Sequence, residues 1–124
     1  MIEMLNSPDH VVAFKISGEL SADEYDRIVA DVEAKLDRHD RLGVLIDLVD
    51  FDDISMAAVG KDTRYSLSKL WELKRFPREA IVTDKAWMRA LARIASPLVP
   101  HVEVRAFDPG DEAAALSWVS DIGE

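Results

Sequence analysis

Gly43-Val44-Leu45-Ile46-Asp47-Leu48-Val49, in the middle of the chain, is apolar almost without interruption, and this run limits the fold more than any other feature. A strand with one wet face alternates apolar and polar residues. A run this uniform is a strand covered on both faces, which places it in the interior of a parallel sheet. Parallel strands are joined by long crossovers, usually helices, so the chain is expected to be α/β.

The flanking sequence supplies the rest of the order. Met1 to Leu5 and His10 to Ser17 are short apolar stretches separated by the turn-prone Asn6-Ser7-Pro8-Asp9 and read as a hairpin. Gly18 breaks the second strand, and Ser21-Ala22-Asp23-Glu24 has the spacing of a capping box. Behind it Tyr25, Ile28, Val29, Val32 and Leu36 recur at three and four residues and form one apolar helical stripe. After the central strand a polar loop, Asp50 to Ser55, leads into a helical stretch from about Met56 to Lys74. Glu79 to Thr83 is the next strand, and Asp84 is the expected N-cap of a helix holding Trp87, Met88, Leu91, Ile94 and Ala95 that Pro97 and Pro100 end. Val102 to Phe107 is the last strand. Asp108-Pro109 caps and starts the last helix, whose expected buried side is Ala114, Ala115, Trp118, Val119 and Ile122. The expected order is ββαβαβαβα: a five-stranded mixed sheet, parallel except at the N-terminal edge strand, with four helices, in one domain over residues 1–124.

Composition narrows the function. The chain has 124 residues, 48% of them hydrophobic, and a net charge of −9, enough for a core without disulfides or a structural metal. With no cysteine, thiol catalysis, iron–sulfur clusters and cysteine-held zinc are excluded, and a reducing compartment fits. No signal-like start or long apolar run is present, so the expectation is a cytoplasmic protein. Overall acidity argues against nucleic acid as a partner. The acid is concentrated in residues 1–62 and 106–124, whereas 63–105 are basic.

Familiar catalytic patterns are missing. The glycines stand at 18, 43, 60, 110 and 123 and assemble neither a GxGxxG turn nor a P-loop. There is no HExxH or GxSxG, and His10, His39 and His101 lie in separate segments. No catalytic residue, metal ligand or cofactor is assigned. The acids at the carboxyl end of the central strand, Asp47, Asp50, Asp52 and Asp53, occupy the place where open α/β sheets bind ligands. A Mg²⁺-dependent enzyme using Asp47 and Asp50 is therefore kept as an alternative. A receiver domain does not fit, because Ser17-Gly18-Glu19 and Phe107-Asp108-Pro109 stand where it needs an acidic pair and a lysine.

Four segments in order carry a resemblance: Gly18-Glu19-Leu20-Ser21 with Tyr25, Val44 to Leu48 followed by Asp50-Phe51, Ala80 to Trp87, and Val104 to Asp108 before Glu112-Ala113 and Trp118. Together they resemble the SpoIIAA-like family of small bacterial proteins, related to the STAS domain of anti-sigma factor antagonists and sharing a β-α superhelical fold with the CRAL-TRIO lipid-transfer domain. The resemblance implies a non-enzymatic binding or regulatory module. Antagonists carry a phosphorylatable serine before the helix that follows the central strand; Ser55 is the hydroxyl at that place, beside Asp50, Asp52 and Asp53 that would repel a phosphate. The lipid-transfer relative implies an apolar or lipid-like ligand. Lys69 to Arg78 mixes Trp71 and Phe76 with cations, and Lys85, Trp87, Arg89 and Arg93 repeat the combination, so an acyl chain beside an anionic head group, or peripheral contact with a membrane surface, is one reading. Ordinary core tryptophans with snorkelling cations is the simpler one. The ligand reading predicts a pocket lined by some of Val59, Tyr65, Leu70, Trp71, Phe76, Trp87 and Leu91. A protein partner or a homodimer, through a helix face or a sheet edge, is the other expected kind of contact.

Overall fold

The apolar run forms β4 (Gly43–Asp47), the middle strand of five. The computed structural model describes residues 1–54, 60–62, 64–65, 75–98 and 102–122. The hairpin pairs β1 (Ile2–Met4) antiparallel with β2 (Val11–Ile16), Ile2 opposite Ile16. Every other pairing in the sheet is parallel: β2 with β4, β4 with β6 (Arg78–Val82), and β6 with β7 (Glu103–Phe107). The strand order is β1-β2-β4-β6-β7.

Each parallel crossover steps one strand over in the same direction. Because such crossovers are right-handed, their helices are sent over one face: α1 (Ala22–Leu36), then α2, described at residues 60–62 and 64–65, then α3 (Ala86–Leu98). Strand alternation matches this. Val12, Phe14 and Val44 join Tyr25, Ile28, Val32 and Leu36 of α1 in one apolar cluster. Val11, Ala13, Leu45, Ala80 and Val82 point the other way and meet Ala115 and Val119 of α4 (Glu112–Ser120). Among the described helices α4 alone covers that back face, and His10, Arg41 and Arg78 each bond a carbonyl near its end, at Ser120, Ile122 and Trp118.

α1 opens as its sequence predicts. Ser21 Oγ accepts from the Glu24 N–H at 3.2 Å and Glu24 Oε1 accepts from the Ser21 N–H at 3.2 Å, while the Glu24 carboxylate also pairs with the N-terminal ammonium at 3.0 Å. Ser21→Ala is expected to lower the unfolding free energy by about 1 kcal/mol, measured by urea denaturation; an unchanged midpoint would mean the cap is redundant.

Several local expectations are corrected. Gly18 does not simply end a strand: at φ 67 it turns the chain out of the main sheet and begins β3 (Gly18–Leu20), which pairs in parallel with β5 (Phe51–Ile54) where a loop was expected. The two form a separate ribbon, tied also by the Gly18 N–H to the Asp50 carbonyl. Strands of three and four residues are too short to show a period. At the start of α3 the side chain that accepts from the Lys85 N–H is the Thr83 hydroxyl, while the carboxylate of Asp84, the expected cap, stands 3.7 Å from Lys85 Nζ. α3 passes Pro97 by one residue, within the usual uncertainty of a helix end. Asp108 opens a short 3₁₀ turn (Pro109–Asp111) and gives its carboxylate to Arg89 instead of the backbone. Ala114 is exposed, because the buried side of α4 is set by Ala115 and Val119, four residues apart. The middle of the sheet is not wholly dry either: Leu45 is 1% exposed, but Ile46 is only partly buried.

Candidate functional site

Ile46 stays partly open because the face of the sheet under α1 is not sealed. Tyr25, Ile28 and Val32 lie along one side of α1, and β2 and β4 set Phe14, Val44 and Ile46 against them. With Phe76, just ahead of β6, and Tyr65 of α2 they enclose an apolar groove of about 390 Å³, within the roughly 300–1,000 Å³ range of small-molecule sites.

One end of the groove is acidic. Asp62 of α2 and Glu79 of β6 complete its described lining. Glu79 lies opposite Val44 on β4 and Val104 on β7, so its side chain rises from the face that the crossover helices cover. Burial pushes its carboxyl up to about 7, and the neighbouring Asp62 carboxylate adds to the shift. The Tyr25 hydroxyl donates to Asp62 Oδ1 at 2.6 Å. Burial, and then Asp62 itself, holds that phenol well above its ordinary value, so it keeps its proton. The groove thus offers apolar walls, a carboxyl poised to gain or lose a proton near neutrality, and a carboxylate held in place by a phenol.

The acids at the carboxyl end of β4 are used differently. Asp47 is 6% exposed and accepts from the Val49 N–H at 3.0 Å, capping the turn that leaves the strand. Asp50 pairs with Lys15 at 2.9 Å, and Lys85 Nζ donates to the carbonyls of Leu48 and Val49. Among the described residues no group of three or more His, Cys, Asp or Glu could hold a metal ion.

Of the residues singled out from the sequence for an apolar ligand, Tyr65 and Phe76 line the groove together. Trp87 is 58% exposed on α3 and is not among the groove's lining residues. Val59, Leu70, Trp71 and the candidate phosphoacceptor Ser55 lie outside the described residues, and of Leu91 only the backbone, in α3, is described. Among the described residues the tryptophan that meets cations is Trp118: the guanidinium carbons of Arg78 and Arg105 stand 5.0 and 4.8 Å from its ring centre, and Phe107 packs beside it. Sequence reasoning passed over Glu79, Asp62 and the Tyr25 hydroxyl. The alternation of β6 carries the signal for Glu79, since it puts an acid on the same face as Ile81.

A sequence profile described as SpoIIAA-like matches residues 11–120. The chain belongs to the SpoIIAA-like family. Among solved structures it is similar to an uncharacterised protein of the DUF3478 family with a SpoIIAA-like fold from Shewanella loihica PV-4. The two are 28% identical, with a TM-score of 0.73 over 96% of this chain and 92% of the other. It is also similar to the anti-sigma factor antagonist SpoIIAA in its unphosphorylated form, at 15% identity and a TM-score of 0.65 over 98% of this chain and 100% of that one. The second likeness is one of fold. No curated protein matches the chain. The SpoIIAA-like assignment agrees with the mixed five-stranded sheet, and no helix among the described residues is long and apolar enough to cross a membrane.

Proposed function

We propose that this SpoIIAA-like chain is a non-enzymatic binding module that takes a small, largely apolar ligand into the groove between α1, α2 and the sheet. The observation that carries this reading is the 390 Å³ cavity itself, walled by Phe14, Ile28, Val32, Val44 and Ile46 on a face where a packed core is the ordinary outcome. A carboxyl titrating near neutrality would also suit proton-transfer chemistry. The described lining adds only another acid and two phenols to it, an inventory better matched to holding a ligand than to converting one.

Extraction of the purified protein with organic solvent, followed by mass spectrometry, is expected to yield a stoichiometric small molecule or, from emptied protein, saturable uptake of an environment-sensitive apolar dye. Ile28→Trp, which places an indole in the groove, is expected to weaken dye uptake by about ten-fold or more. No extractable molecule and no saturable uptake would overturn the reading.

A regulatory reading, with a protein partner and phosphorylation at Ser55, draws support from the antagonist fold neighbour alone. Its check is Ser55→Asp: a changed set of partners on co-purification supports it, and an identical set with Ser55 unmodified in cells removes it.

A further inference from the structure

Among the described residues the acidic end of the groove has no counter-charge. Glu79 is partly buried on the groove lining, and among the described residues its carboxyl has neither a hydrogen-bond nor an ion-pair partner. Every described lining residue is apolar, phenolic or acidic. Three of the described cations close by in sequence are engaged elsewhere. Lys61 pairs with Asp26 at 2.8 Å, Arg75 donates to the carbonyls of Leu36, His39 and Asp40, and Arg78 donates to the Trp118 carbonyl. A partly buried carboxyl without a partner is a costly arrangement.

We propose that the groove selects an organic cation, a molecule with a short hydrocarbon body and a protonated amine seated against Glu79 and Asp62. The inference rests on the reading of the groove as a ligand site and adds the charge of what enters it. An ammonium group carries three donors and no acceptor, so it can bond both acids at once while its hydrocarbon lies along Ile28, Val32, Val44 and Ile46. An anionic head group would be repelled by two acids. A neutral one would leave their mutual repulsion in place. The acyl chain with an anionic head that the sequence suggested is therefore the wrong partner for this end of the groove.

The arrangement couples binding to a proton. Among the described residues the groups facing Glu79 are Asp62 and Tyr65 from α2 and Tyr25 from α1, with apolar Val44 and Val104 on the adjoining strands. Glu79 is the member that titrates near neutrality. Below that point an arriving ammonium must displace a proton from it to the solvent; above it the carboxylate is already charged.

Octylamine, octanol and octanoate, matched in chain length, test this by calorimetry on the full chain in buffers of different ionisation heat. Octylamine is expected to bind most tightly, to gain about ten-fold in affinity between pH 6 and pH 8, and to release a proton at pH 6 that octanol does not. Glu79→Gln is expected to remove that pH dependence and proton release and to weaken octylamine by about ten-fold. An unfolding midpoint at pH 8 no lower than the parent's reports that the variant is folded. If octanol or octanoate binds as well as octylamine, the charge inference is overturned and the groove reading stands. If none of the three binds, the groove reading falls and the inference falls with it.

Discussion

Gly43→Ala is expected to lower the unfolding free energy by about 3 kcal/mol, in the range of an overpacked core, with loss of protection in α4 visible by hydrogen exchange. Gly43 begins β4 on the face that α4 covers. A Cβ built there would lie 2.1 Å from the Val119 carbonyl oxygen and 2.8 Å from its carbon. Both are backbone atoms of a helix, so no side-chain rotation relieves the clash, and α4 would have to retreat by about an ångström. Retreat is resisted by the fully buried Ala115 and Val119 and by the His10, Arg41 and Arg78 bonds to carbonyls at the helix end. Equal denaturation midpoints for parent and variant would show that α4 is not seated on the strand as closely as described.

Glu79 gives the second large effect, through the pH dependence of stability. Its carboxyl titrates at an ordinary 4.5 when exposed and at about 7 when folded. The folded state therefore holds the proton more tightly. The stability linked to this group is fully present below pH 4.5, declines as pH rises, and is gone above about pH 7. The expected loss is roughly 2–3 kcal/mol. Glu79→Gln removes that slope, so at pH 8 the variant is expected to be more stable than the parent by about the same roughly 2–3 kcal/mol, and at pH 4 nearly equal to it. Guanidinium unfolding from pH 4 to 8 measures both; parallel curves would mean that Glu79 is solvated like a surface acid.

The fold was readable wherever a pattern spanned enough residues to have a period. Val44 to Leu48 announced a central strand because both its faces are covered, and Ser21 with Glu24 announced α1 because a capping box is a local hydrogen-bond exchange. β3 and β5 were not readable, since Gly18–Leu20 and Phe51–Ile54 pair with each other across more than thirty residues and neither repeats a motif. Of the site, Tyr65 and Phe76 could be singled out as large apolar residues in the right segments. Trp87 could not be told from them by composition, but Met88 and Ala92 are buried positions among the described side chains of α3, and Trp87, next to Met88, is turned about a quarter of a circle away, into solvent. Glu79 was hidden by its setting, because an acid at the edge of an apolar strand looks like a boundary until the registry of β4, β6 and β7 shows it beneath a helix.

The β3–β5 ribbon is also a mechanical coupling. β5 ends at Ile54, immediately before Ser55, and Ile54 is paired with Leu20, immediately before the residue that caps α1. From Leu20 the chain runs directly to Tyr25 and Ile28 in the groove wall. The segment that leaves the central strand and the helix that roofs the cavity therefore hang from one bracket, joined by backbone hydrogen bonds as well as by the core packing of Leu20 and Phe51.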